Sequence, residues 1–158
     1  MKLAIFTSNS LRHKFLANSL AQHVDDALTI VECRENDELN FSYGDNESII
    51  SHFRKRYETE KKFFGNNYEF ISKNIPILHK EVNSNFIFQK IKNYDPDIMV
   101  VFGASIIKDP LLSLGKRNRF LNLHLGLSPY YKGNATNFWP FINNELEFLG
   151  STVLHIDP

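Results

Sequence analysis

Short apolar runs alternate with amphipathic stretches along these 158 residues, and that order predicts an α/β domain. Residues 3–7, 28–33 and 97–102 are largely apolar, as strands buried on both faces require, and the clearest is Ile98-Met99-Val100-Val101-Phe102. After the first run, Ser8-Asn9-Ser10 breaks the strand and offers a cap to a helix whose Leu11, Phe15, Leu16 and Leu20 line one face. Residues 35–46 are polar and turn-rich and read as an exposed connection. From 47 to 64, Ile49, Ile50, Phe53, Tyr57 and Phe64 form the apolar side of a second helix, with Arg54, Lys55, Glu58, Lys61 and Lys62 on its wetter side. Ser84 opens a third helix carrying Phe86, Ile87 and Ile91, and Asp95-Pro96 stops it. Residues 103–114 read as a loop and a short helix, and Arg119-Phe120-Leu121 as part of another buried strand. Residues 134–144 read as a last helix, with Phe138 and Trp139 in the core beside Phe141. Strands and helices in this alternation argue for a mostly parallel sheet covered on both faces, in one domain without repeats.

Charge and cysteine usage narrow the partners. The formal net charge is zero and there is no cationic run, so nothing in the composition calls for a nucleic acid held by phosphate neutralisation. The single cysteine, Cys33, cannot form an internal disulfide and suits a reducing compartment, and its apolar strand makes it a packing residue. The apolar start, residues 1–6, is too short for a secretion signal, and no run approaches membrane-spanning length. A cytoplasmic location is therefore expected, with no membrane partner. The histidines His23, His52, His79 and His155 show no metal-ligand spacing, and no metal is expected.

Two places carry chemistry. Asn122 and His124, two apart on a strand, project from one face, and in open parallel sheets the ligand crevice lies beyond such strand ends. A carboxamide N–H there can stabilise an oxyanion, and an imidazole can move the proton of an attacking amine or hydroxyl. The plain alternative is an ordinary polar pair at a strand end. The second place is the turn Ser8-Asn9-Ser10 with Arg12, where backbone N–H groups and a fixed cation make an anion site, or else simply cap a helix. No Gly-x-Gly-x-x-Gly accompanies it, which argues against a dinucleotide. His13 beside it reads as a surface or packing residue.

The segment Asn122-Leu123-His124-Leu125-Gly126-Leu127-Ser128-Pro129-Tyr130-Tyr131-Lys132-Gly133 resembles the signature of the folate-dependent formyltransferases, a family that includes enzymes acting on methionyl-tRNA, glycinamide ribonucleotide and amino sugars. The resemblance implies a Rossmann-like, three-layer fold and transfer of a formyl group from 10-formyltetrahydrofolate to a primary amine. Asn122 and His124 would be catalytic. Phe102, Gly103, Ala104, Ser105 and Ile106 would form the cofactor side, where main-chain groups meet the pterin-like ring. Ser8, Asn9, Ser10 and Arg12 would hold the amine substrate, with Lys132 counted beside them. The stretch from Tyr130 through Trp139 looks most like formyltransferases acting on nucleotide-linked amino sugars, so a nucleotide-sugar is the expected partner.

There are departures from the family pattern. Gly126 stands where the family commonly has Ser, and Ser128 precedes the Pro where it has Leu. The strand from Gly150 leads to Asp157, which aligns with the first Asp of the family's Asp-x-Gly-x-Asp-Thr-Gly and not with the second, catalytic one. Residues 1–158 are accordingly expected to be an N-terminal catalytic domain cut just before that carboxylate, nearly inactive alone, with any homodimer formed through the region beyond Pro158. The competing readings are a formyltetrahydrofolate hydrolase using the same groups, a formyltransferase acting on methionyl-tRNA or glycinamide ribonucleotide, and a non-catalytic ligand-binding module.

Overall fold

The computed structural model describes residues 1–34, 47–115, 119–133 and 136–156. Six strands form one sheet in the order β3-β2-β1-β4-β5-β6. They are β1 (Lys2–Ser8), β2 (Asp26–Cys33), β3 (Lys73–Leu78), β4 (Ile98–Phe102), β5 (Phe120–Leu125) and β6 (Ser151–His155). The first five run parallel, and β6 pairs antiparallel to β5. The chain builds outward from β1 through β2 to β3 and then returns to the other side of β1 with β4. Its topological switch point therefore lies between β1 and β4, where crevices open at strand carboxyl ends.

The period of two along the strands sorts the core into two layers. Ala4, Phe6, Leu28, Ile30, Met99, Val101 and Phe120 face one side, where they meet Val82, Ile107, Leu111 and the helix α3 (Asn85–Tyr94) through Ile87 and Ile91. Phe6 and Phe120 are both fully buried, their ring centroids 5.4 Å apart. On the other side Leu3 and Ile5 pack with Ala17 of α1 (Leu11–Ala21), flanked by Leu20, Val24 and Phe70. The helix α2 (Glu47–Phe64) lies against α1, where Phe64 meets Phe15 at 5.1 Å. Helix α3 begins and ends as its sequence dictates. The Ser84 hydroxyl accepts from the Ile87 N–H at its start, and Asp95 turns left-handed (φ 48°) ahead of Pro96.

Several expectations need correction. The face of α1 turned inward carries His13, Ala17 and Asn18, while Phe15 is exposed and leans on α2. Ser10 sits at the N-cap without a side-chain cap bond. Strand β3 was not expected. Its Asn74 and Pro76 disguise it, and a proline is tolerated there because β3 is the outer strand, pairing only with β2. Cys33 is not a packing residue: it ends β2 and is exposed. The last helix shrinks to α4 (Trp139–Asn143), with Pro140 buried near its start. Phe138, Trp139 and Phe141 are exposed and do not enter the core. The polar connection 35–46 and the expected start of the last helix at 134–135 lie outside the described residues, as does Asp157.

Candidate active site at the strand carboxyl ends

Register sets the site. Asn122 pairs with Val101 of β4, which pairs with Phe6 of β1, so Asn122 continues the row of inward side chains toward the carboxyl rim. His124, two residues on, shares that face and lies level with the residue after Phe102, which is Gly103. The catalytic candidates and the turn at Gly103 are thus brought to one rim on neighbouring strands.

Asn122 is half-buried, and among the described residues its carboxamide has no hydrogen-bond partner. His124 is held firmly. Its Nε2 lies 3.2 Å from the Tyr131 carbonyl, which can only accept, so Nε2 carries the proton and Nδ1 presents a lone pair. Tyr131 is itself fixed at three points. Its N–H donates to Leu127 O at 3.0 Å, its hydroxyl donates to the Glu145 carboxylate, and that hydroxyl accepts from Asn143 Nδ2 at 3.0 Å. The Glu145 carboxylate holds the Tyr131 phenol above its ordinary pKa. Across the strand pair, Thr152 faces His124 and ties the loop down, its hydroxyl donating to Gly126 O at 2.8 Å and accepting from Ser128 N at 2.9 Å.

Gly126 explains the departure from Ser at that place. Its φ is +149°, and a Cβ there would lie 2.6 Å from Thr136 Cβ and 2.7 Å from the Tyr131 carbonyl oxygen. The same carbonyl orients His124, so the space a side chain would need has been given to the groups that set the imidazole.

At the first turn, Ser8 is buried and its hydroxyl meets His13 Nδ1. His13 is only 6% exposed, and its ring lies edge-on to Phe102 at 4.7 Å and under Gly103. Burial, with the charges of Arg12, Arg34 and Arg56, lowers its pKa to about 3, so it is neutral packing and no acid–base group. It is a packing residue, as one of the two readings of the sequence had it. Gly103 takes φ +75°, and a Cβ there would come within 2.3 Å of the His13 ring. Arg12 is paired with Glu60 of α2, to which Arg56 also reaches at 3.3 Å. Asn9 bonds both backbone groups of Arg34, at 3.1 and 3.2 Å. Lys132 is exposed and has no partner among the described residues.

Three groups that sequence reasoning missed hold the loop after Phe102. Glu32 accepts from Ser105 N and Ser105 Oγ, both at 2.9 Å, and from Lys80 N at 3.2 Å. Arg34 donates to Gly103 O at 3.1 Å. Asn83 holds the far end, its amide donating to Ile106 O at 2.8 Å and accepting from Lys108 N at 2.7 Å. Between these anchors the Ile106 side chain stands 79% exposed, an apolar group offered at the rim. Among the described residues no three His, Cys, Asp or Glu side chains gather closely enough to hold a metal ion, and no helix is long and apolar enough to cross a membrane.

Known proteins resemble this chain in part of its sequence and in its fold. The chain is 38% identical over 87 residues to methionyl-tRNA formyltransferase of Protochlamydia amoebophila (strain UWE25), covering 54% of this chain and 27% of that protein. Its identity to the Clostridioides difficile (strain 630) methionyl-tRNA formyltransferase is 37% over 91 residues, 55% of this chain and 28% of the relative. The matches thus span little more than a quarter of these relatives' length. Among solved structures, phosphoribosylglycinamide formyltransferase of Anaplasma phagocytophilum has the same fold, with a TM-score of 0.61 and 12% identity over 99% of this chain and 64% of that one. A formyltetrahydrofolate deformylase from Pseudomonas syringae pv. tomato str. DC3000 superposes with a TM-score of 0.55 and 12% identity, over 99% of this chain and 46% of that one. No protein-family model matches the chain.

Proposed function

We propose that this chain, which belongs to the folate-dependent formyltransferase family, carries the catalytic face of an enzyme that moves a formyl group from 10-formyltetrahydrofolate to a primary amine. The observation that carries the reading is the pairing of an unengaged Asn122 carboxamide with an oriented His124 on one strand face, at the rim that the Gly103 turn shares. The neutral amine attacks the formyl carbon, and the oxygen gains charge as the carbon becomes tetrahedral. Asn122 Nδ2–H donates to that oxygen, an interaction worth roughly 3–4 kcal/mol in comparable sites. The His124 Nδ1 lone pair takes the proton the amine must lose, and the Tyr131 carbonyl steadies the imidazolium that results. As the tetrahedral carbon collapses, the bond to the folate nitrogen breaks, that nitrogen takes the proton from the His124 imidazolium, and tetrahydrofolate leaves behind the formamide.

The folate lies against Phe102, Gly103, Ala104, Ser105 and Ile106. There the φ of Gly103 exposes backbone to a flat ring, and Ile106 offers apolar surface. The amine substrate lies toward Ser8, Asn9 and Ser10. Arg12 can serve it while paired to Glu60, because a guanidinium has five N–H donors, and Lys132 stands ready on the loop. A nucleotide-linked amino sugar suits a turn with anion-binding N–H groups and cations beside it, and is the acceptor we favour. The names of the curated relatives place methionyl-tRNA beside it in any test.

The test is release of tetrahydrofolate from 10-formyltetrahydrofolate by the complete polypeptide. It is run with nucleotide-linked amino sugars, glycinamide ribonucleotide and methionyl-tRNA as separate acceptors, and alongside His124→Ala. Release that depends on one acceptor and disappears in the variant is the expected result. Release that needs no amine identifies a hydrolase, as in the deformylase of like fold, and no release with any acceptor removes the transferase reading.

A further inference from the structure

Glu32 is the most completely buried charged residue among those described, yet it stands at the carboxyl end of β2, outside the catalytic strand. In many doubly wound folds an acid near this place takes the hydroxyls of a ribose. Here both carboxylate oxygens are already engaged. Oε1 accepts from Lys80 N at 3.2 Å, and Oε2 accepts from Ser105 N and Ser105 Oγ, both at 2.9 Å. Around Oε2 stand Arg34 Nη2 at 3.5 Å and His79 Nδ1 at 3.4 Å. Such a group, with no exposed surface, is closed to a ligand, and its partners show what it does instead.

We infer that Glu32 is a positioning residue for the formyl donor: with Arg34 it fixes the turn through Gly103 and Ser105 in the shape that receives the folate ring. The inference rests on the reading of this turn as the donor site. Three strands of the network support it. Glu32 holds the Ser105 N–H and hydroxyl and so sets the peptide after Ala104. Arg34, braced by Glu32, holds the Gly103 carbonyl at 3.1 Å. The backbone of Arg34 is clasped by Asn9 of the first turn, so the two turns that flank the switch point share one strut. A structural acid could have been replaced by apolar packing at small cost. A carboxylate that instead organises backbone N–H groups of a binding turn contributes shape to a site.

The experiment measures KM for 10-formyltetrahydrofolate, KM for the acceptor and kcat in Glu32→Gln, with amide hydrogen exchange at Ser105. Replacing one carboxylate oxygen by an amide sets a donor against a donor and removes the charge that braces Arg34. A loss of one charge-assisted bond corresponds to roughly a tenfold change. The donor KM is expected to rise about tenfold with kcat and acceptor KM within about threefold, and Ser105 exchange to quicken about tenfold while Ile87, in α3, is unchanged. Equal changes in both KM values, or exchange that quickens throughout, would mean that Glu32 merely stabilises the fold and overturns the inference. If Glu32→Gln does not fold, Ser105→Ala carries the test: a selective rise of about threefold in donor KM supports the inference, and an unchanged value overturns it. Wild-type protein inactive with every acceptor removes the donor-site reading itself, and the Ser105 exchange still decides whether Glu32 holds the turn.

Discussion

Acidification should destabilise this fold through His13, and the size of the effect follows from where the ring sits. It is enclosed by Ser8, Phe102 and Gly103, with the guanidinium groups of Arg12, Arg34 and Arg56 near enough to oppose a further positive charge, and its pKa falls to about 3. In the unfolded chain an imidazole titrates near 6.5. Between those values the unfolded state binds a proton that the native state refuses, so stability falls as pH falls. At pH 5 the unfolded histidine lies about 1.5 units below its own pKa, which at 1.36 kcal/mol per unit makes the loss relative to pH 7.5 about 2 kcal/mol. Urea unfolding at pH 7.5, 6.0 and 5.0 measures it, beside His13→Asn, whose carboxamide oxygen can replace Nδ1 toward Ser8 without titrating. The variant starts less stable because it loses ring packing, but its pH dependence should be shallower than the wild type's by that same amount. Equal slopes, or an NMR titration of His13 near 6.5, would refute the reasoning.

Three further outcomes are expected. Asn122→Ala should lower kcat by about 10²–10³-fold, because an oxyanion donor is lost. Its midpoint in urea should stay close to the wild type's, since the carboxamide has no partner among the described residues whose loss would be felt. Gly126→Ser, which restores the residue common in the family, should destabilise by about 2–4 kcal/mol through overpacking against Thr136 and the strain of its φ, read by thermal or urea unfolding. Gly103→Ala should cost about 2–5 kcal/mol, from a left-handed φ of +75° and a methyl driven into the His13 ring, and should raise the donor KM as the turn shifts; an unchanged urea midpoint would contradict the packing described for His13.

The sheet could be read from the chain where its strands are central. Residues 28–31 and 98–102 are covered from both sides, so their runs are almost wholly apolar and their identity is plain. Strand β3 escaped because an outer strand is paired along one edge only, and Ile75 and Ile77 alternate with Asn74, Pro76 and Leu78 in a run that reads as a loop. The face of α1 was misassigned for a different reason. Periodicity counts apolar residues, whereas this helix turns inward a histidine and an asparagine. Asn18 bonds Glu69 O at 2.9 Å and Ile71 N at 3.0 Å, and so pairs two backbone groups of the connection that leads into β3. Trp139 and Phe141 lie on a helix of five residues with Phe138 at its N-cap, too short an element to turn three aromatics toward one side.

At the site, a pair two residues apart on a strand is visible in sequence because alternation alone brings the side chains together. Glu32 obeys the same rule, since alternation sets it on the face of Leu28 and Ile30 and therefore inside. A lone acid in an apolar run was thus a legible signal of a buried carboxylate with work to do. Its partners were not legible: Lys80 and Ser105 lie 48 and 73 residues away, and only the register of β1 against β2 and β4 brings them within reach. The same holds for Gly126, whose necessity depends on Thr136 and on a carbonyl five residues along a folded-back loop. The proposed catalytic pair lies on one strand, where local geometry announces it, while the residues that orient the site are gathered by topology. A change in an orienting residue should therefore alter KM or pH response before it alters the chemistry, which separates Glu32 and His13 experimentally from Asn122 and His124.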